Sequence, residues 1–195
     1  RSIYIQDTTS VGNIFGSIVY DKGAWVVHML RRILGETNFA TAMSAWYNSP
    51  YRWGSATTED FRDVVEGATG VNIHDFIQDW IYGRSRPNYN YTYWQEAAAG
   101  GGQNVYLVVK QIQSTAPQAF RMPVDFLMDY PSGIDDTLTF TIDARKKFVK
   151  FHLPASPINI ELDPGNWILK LKTKIPWDAY IVSVDSDLHV GQQYL

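Results

Sequence analysis

The sequence predicts an α+β fold in two parts, an α-helical layer followed by an immunoglobulin-like antiparallel β-sandwich. Two observations carry that expectation. Before residue 87 apolar residues recur with the 3.6-residue period of half-buried helices; from Arg86-Pro87 onward they recur with period 2. Turn-forming Gly, Pro and Asp separate the period-2 segments, giving seven short strands in under a hundred residues. A chain of 195 residues accommodates one large domain or two small ones, each with its own core. We place the expected boundaries at 1–86 for the helical part, 87–172 for the sandwich and 173–195 for a tail.

Four helices are expected. In the first, Val26, Val27, Leu30, Ile33 and Leu34 share one arc and Gly35 stops the run. The second places Phe39, Ala42, Met43, Trp46 and Tyr47 on one face. The third has N-cap candidates Thr57 and Thr58, acidic Glu59 and Asp60 in its first turn, a stripe of Phe61, Val64, Val65 and Ala68, and Gly70 as its stop. The fourth starts at Asn72 and buries Ile73, Phe76, Ile77, Trp80 and Ile81.

Strand alternation follows at Tyr89, Tyr91 and Tyr93, and after the Gly100-Gly101-Gly102 hairpin turn at Val105, Leu107 and Val109. It continues through Met122 to Tyr130, Leu138 to Ile142, Val149 to Leu153 and Ile158 to Leu162. A seventh strand is expected on Trp167, Leu169 and Leu171. Ala179 to Val184 is a candidate additional strand and Asp185 to Leu195 is polar enough for a frayed tail.

Charge and composition narrow the function classes. The net charge of −3 is spread evenly, with eight basic and nine acidic residues in 1–86 and nine and eleven in 87–195, so neither nucleic acid nor an anionic membrane is an expected partner. No apolar run approaches the ~20 residues of a membrane-spanning helix. Zero cysteines exclude disulfides and thiolate metal ligands and leave the compartment undetermined. No Gly-x-Ser-x-Gly elbow or phosphate-binding loop is present. Asn90-Tyr91-Thr92 fits an N-glycosylation triplet, a pattern that also arises by chance. Arg145-Lys146-Lys147 with Lys150 reads as a solvated turn and strand face, because Asp135, Asp136 and Asp143 lie close in sequence and weaken a polyanion contact.

The segment Val19-Tyr20-Asp21-Lys22-Gly23-Ala24, running into the amphipathic stretch Trp25 to Leu34, resembles the Tyr-x-Lys-Gly-Ala segment of zinc aminopeptidases of the aminopeptidase N type, the thermolysin-like gluzincins. Ser-Ala-Thr-Thr-Glu-Asp-Phe at 55–61, Asp75-Phe76 leading to Trp80, and Leu162-Asp163-Pro164 are similar to recurring features of that family in the same order. The resemblance covers roughly residues 19–172. Asp21 stands where the family often has Glu, and the chain beyond Lys172 matches no family feature we identify.

The resemblance implies that 1–86 are later helices of a thermolysin-like catalytic domain and that Tyr20 is a catalytic residue. Its hydroxyl would donate a hydrogen bond to the oxyanion developing at a substrate carbonyl. The reading from spacing alone is a tyrosine packed at a helix start. Lys22 is expected to tie to a nearby carboxylate or carbonyl, and Gly23 to allow close helix packing.

A gluzincin binds zinc through a His-Glu-x-x-His helix and a further carboxylate. None of His28, His74, His152 and His189 has a histidine partner at i+4, so no cofactor and no metal ligands are expected in these residues; zinc is expected in an intact parent. The expectation is therefore an inert C-terminal portion of a metallo-aminopeptidase, whose partners are the missing N-terminal part and a peptide substrate, and whose helical layer leaves an apolar face for that missing part. The competing expectation is a non-catalytic binding or scaffolding module that uses the sandwich.

Overall fold

The computed structural model describes residues 1–178 and residue 180; of the expected strand Ala179 to Val184 only Tyr180 is described, and it is helical, its N–H donating to Pro176 O at 3.1 Å, while the rest of that strand and the expected tail from Asp185 lie outside the described residues. Four α-helices precede the strands: α1 (Val11–Ile14), α2 (Ser17–Tyr47), α3 (Thr58–Thr69) and α4 (His74–Ile77). The two helices expected before and after Gly35 form α2, broken where Gly35 takes φ 73° and ψ 165°. Val26, Met29, Leu30 and Leu34 are buried, whereas Val27 is exposed and falls outside the expected arc. Tyr47, expected in the second helix face, is also exposed and carries the Arg52 guanidinium over its ring at 4.0 Å.

Local chemistry fixes α3 at both ends. Thr57 is the N-cap in a capping box with Asp60, and Gly70 takes the left-handed conformation (φ 70°) that returns its N–H to Glu66 O. The Asn72 side chain accepts the His74 N–H at 3.0 Å, just ahead of α4. α4 then widens into one π-helical turn (Gln78–Tyr82), closed by Gly83 N–H donating to Gln78 O at 2.9 Å.

Seven strands follow: β1 (Asn88–Ala97), β2 (Gln103–Gln111), β3 (Met122–Asp129), β4 (Asp136–Ile142), β5 (Lys146–Leu153), β6 (Asn159–Leu162) and β7 (Leu171–Lys174). They form a four-stranded sheet in the order β5-β2-β1-β7 and a three-stranded sheet in the order β4-β3-β6. The inward rows Tyr89, Tyr91, Val105, Leu107 and Val109 of one sheet share a core with Val124, Phe126, Met128, Ile160 and Leu162 of the other. Phe140 and Phe151 bridge the sheets with ring centroids 5.1 Å apart.

Two features depart from the expected antiparallel set. β7 pairs parallel to β1, in register Asn88↔Leu171 to Tyr91↔Lys174. The seventh strand also starts at Leu171 rather than at Trp167. The cause is the buried Asp163, at φ 44°, whose carboxylate accepts the N–H groups of Trp167 (2.9 Å) and Ile168 (3.1 Å) and pairs with Lys170 at 2.5 Å. That turn buries Ile168 and carries Trp167 to α2, where its ring stacks on His28 at 4.9 Å.

The helical layer is joined to the three-stranded sheet by polar as well as apolar contacts. Arg32 of α2 meets Asp125 of β3 at 2.6 Å, and Trp80 packs on Phe120 with centroids 4.6 Å apart. Asp79, in the π turn and 2% exposed, accepts from Arg121 N–H (3.0 Å), Nε (3.0 Å) and a terminal guanidinium nitrogen (2.9 Å); Arg121 also meets the exposed Asp75 at 2.7 Å. Asp79→Ala should therefore cost about 2 kcal/mol, because it leaves the Arg121 backbone N–H without its acceptor and removes the buried half of the guanidinium's pairing. Asp75→Ala should cost under about 1 kcal/mol, since that pair lies in water. Urea unfolding of both variants checks this, and equal losses would show that Asp79 is not the anchor.

Candidate active-site segment

The resemblance singled out Tyr20 by its neighbours, and its surroundings begin with the start of α2. The N-cap Gly16 is extended (φ −76°, ψ 160°) and supplies no side-chain cap. Tyr20 thus lies in the first turn of α2. With Val26, Met29, Leu30 and Leu34 facing the core, the stripe Tyr20, Ala24, Val27 and Arg31 at i, i+4, i+7 and i+11 faces outward, and all four are exposed. Tyr20 is 61% exposed, and among the described residues its hydroxyl makes no hydrogen bond. Packing at the helix start, the alternative from spacing alone, is not seen among the described residues.

Lys22 points the other way. It is buried, and Nζ donates to Gly83 O at 2.9 Å, fastening the first turn of α2 to the end of the π turn. Burial depresses its pKa to about 8. The expected tie to a carbonyl is thus present, whereas the expected packing role of Gly23 is not: a methyl group there would meet nothing within 4 Å. The close approach is at Gly83 instead, where a methyl would lie 2.0 Å from Asp79 O and 2.7 Å from the Pro117 ring. No sequence motif marked Gly83; the signal lay in its tight carbonyl contact with a distant lysine.

A cleft of about 860 Å³ runs beside the same helix start, between Tyr4 and Asp7 on one side and Ser17, Val19, Tyr82 and Arg84 on the other. A smaller hollow of about 310 Å³ sits at Asp21, Lys22, Trp25 and Arg86. Tyr20 lines neither. Among the described residues no group of three or more His, Asp or Glu side chains is placed to hold a metal ion. His28 is engaged with Trp25 and Trp167, and His74 and His152 lie exposed on separate elements.

Residues 1–80 match the peptidase family M1 domain. The chain is 34% identical over 85 residues to aminopeptidase M1-C of Oryza sativa subsp. japonica, a match covering 44% of this chain and 10% of that protein. It is 23% identical over 150 residues to mitochondrial aminopeptidase 2 of Saccharomyces cerevisiae, covering 77% of this chain and 15% of that one. In fold it is similar to Legionella pneumophila aminopeptidase A, solved in complex with aspartic acid, with a TM-score of 0.70 over 89% of this chain and 20% of that one at 17% identity. Residues 1–80 are thus similar to the M1 aminopeptidase domain, and the whole chain spans only about a tenth of the length of the first curated relatives it matches.

The Lys22 anchor has a measurable pH signature. Its folded pKa, about 8, lies below the unfolded value of 10.5, so the unfolded chain binds more protons between those values and stability rises with pH through that window. Stability should increase by about 1 kcal/mol from pH 7 to 9 through this group. Burial raises the pKa of Tyr89, so stability falls again from about pH 10, where tyrosines of the unfolded chain ionise. Urea midpoints of the wild type and Lys22→Met across pH 7–9 check the assignment; a rise that survives in the variant would have to come from another group.

Proposed function

We propose that this chain is part of a zinc metallo-aminopeptidase-like protein, with residues 1–86 as later helices of a thermolysin-like catalytic domain and 87–172 as an immunoglobulin-like sandwich. The observation that carries the reading is Tyr20. It lies within the matched M1 stretch, and its phenol projects from the coreless face of a helix whose start is fixed by Lys22. A donor held on a rigid element and free of internal partners is suited to meet charge that develops on a substrate.

Hydrolysis of N-terminal residues from peptides is the activity we assign to the intact protein, on the strength of its aminopeptidase relatives. The residues described here do not fit a zinc site. Its ligands would come from chain outside this sequence, and this segment by itself would be inactive. What the segment would contribute is the Tyr20 hydroxyl, aimed at the substrate's tetrahedral oxygen, and the exposed stripe Tyr20, Ala24 and Val27 as a contact for the rest of the catalytic domain.

Tyr20→Phe in the intact protein should lower kcat by about 10²–10³ with a much smaller change in KM, because an oxyanion donor strengthens mainly in the transition state. The hydroxyl is exposed, so folding should be unaffected. Steady-state kinetics with an aminoacyl-anilide substrate, alongside metal content and circular dichroism, checks this. A kcat within a few-fold of the parent, with metal retained, would remove Tyr20 from the chemistry. The binding-module reading is favoured by a different observation, the exposed aromatic and basic face of β5.

A further inference from the structure

We infer that the open edge of β5 is a docking site for an extended acidic polypeptide strand. β5 is outermost in the order β5-β2-β1-β7, and among the described residues nothing pairs with its other side. The register decides which groups that edge presents. Gln111 N–H donates to Arg145 O at 2.7 Å, and the antiparallel pairing runs from Lys110↔Lys146 to Gln103↔Leu153. The hydrogen-bonded pairs are therefore at Lys147, Val149 and Phe151. The backbone N–H and C=O groups of Lys146, Phe148, Lys150 and His152 point to the open side.

The side chains of those same four residues are exposed on the outer face of the sheet. Lys150 sits over the Tyr106 ring at 5.0 Å, and Tyr106 lies between Phe148, 56% exposed, and Trp94. One edge thus offers unpaired main-chain groups and positive charge at alternate residues, beside an aromatic surface.

Acidic neighbours in sequence do not neutralise that charge. Asp143 is taken by Lys147 at 2.9 Å, whereas Asp136 begins β4 in the other sheet. Glu96, on the outer face, accepts the Tyr106 hydroxyl at 2.6 Å. Among the described residues neither Lys146 nor Lys150 forms an ion pair. Chain proximity argued against an anionic partner, but the fold puts Asp136 in the other sheet and occupies Asp143 with Lys147 and Glu96 with the Tyr106 hydroxyl.

Lysines on an edge strand also repel unwanted pairing. That effect selects the occupant. A second copy would bring Lys146 and Lys150 against the same lysines, and a basic strand would be repelled likewise. An acidic strand gains both the main-chain ladder and cross-strand opposite-charge pairs.

The probe is a fluorescent, end-capped peptide of about nine residues alternating glutamate with valine, set against its lysine–valine counterpart. The whole chain should bind the acidic peptide and not the basic one, with slowed amide exchange at Phe148 and Lys150. Lys146→Glu combined with Lys150→Glu should weaken acidic-peptide binding by about tenfold or more and admit the basic peptide. Lys146→Gln with Lys150→Gln should fall between, which guards against a folding defect in the reversed variant. Acidic-peptide binding that ignores both pairs of substitutions, or that leaves β5 exchange unchanged, overturns the proposal. So does binding of a uronic-acid polysaccharide without the peptide, which would assign the surface to the aromatic row, and so does a dimer formed through β5.

Discussion

The corner at Gly83 is the constraint on which the rest of the helical layer depends. Its carbonyl receives the buried Lys22 ammonium, its N–H closes the π turn, and the space where a side chain would begin is already filled by Asp79 O and the Pro117 ring. Three segments distant in sequence are therefore fixed against each other by one residue without a side chain. Gln111 and Gln113, at and just past the end of β2, extend the same logic. Gln111, fully buried, bonds Phe120 N–H and C=O, and Gln113 reaches the carbonyls of Pro117 and Gln118. Backbone polar groups in this irregular stretch are thereby satisfied without a strand ladder.

What the sequence disclosed and what it hid divide along the range of the interaction. The α3 cap, the Gly70 stop and the break at Gly35 depend on residues within one turn, and all three were legible. The inward strand rows were legible too, since alternation records burial directly. Val27 was misplaced because a period identifies an apolar arc without saying how far the neighbouring chain covers it. Trp167 was misplaced because Asp163 takes a left-handed backbone conformation that a non-glycine residue does not advertise. Gly83 escaped notice for the opposite reason: its requirement comes from Lys22 and Pro117, which no local pattern connects to it.

The candidate site shows the same division. Lys22 and Tyr20 sit two residues apart on one helix turn, and helical geometry sends them to opposite fates, one into the protein and one out of it. The motif revealed both residue types but only the tertiary packing of α2 revealed the direction of each. Anchoring and exposure are then separable: the lysine holds the turn, and the phenol projects from it.

The two sheets carry that separation further. Consecutive strands β4 and β5 belong to different sheets, so the short link between Ile142 and Lys146 moves the chain from one layer to the other. Charges adjacent along the chain are thereby distributed to different surfaces, and a net charge of −3 with an even spread conceals a basic edge. Composition averages over the whole chain, while electrostatic recognition acts within about a Debye length of ~8–10 Å. An even composition excludes a globally basic protein; it says nothing about one strand whose alternate residues are Lys146, Phe148, Lys150 and His152.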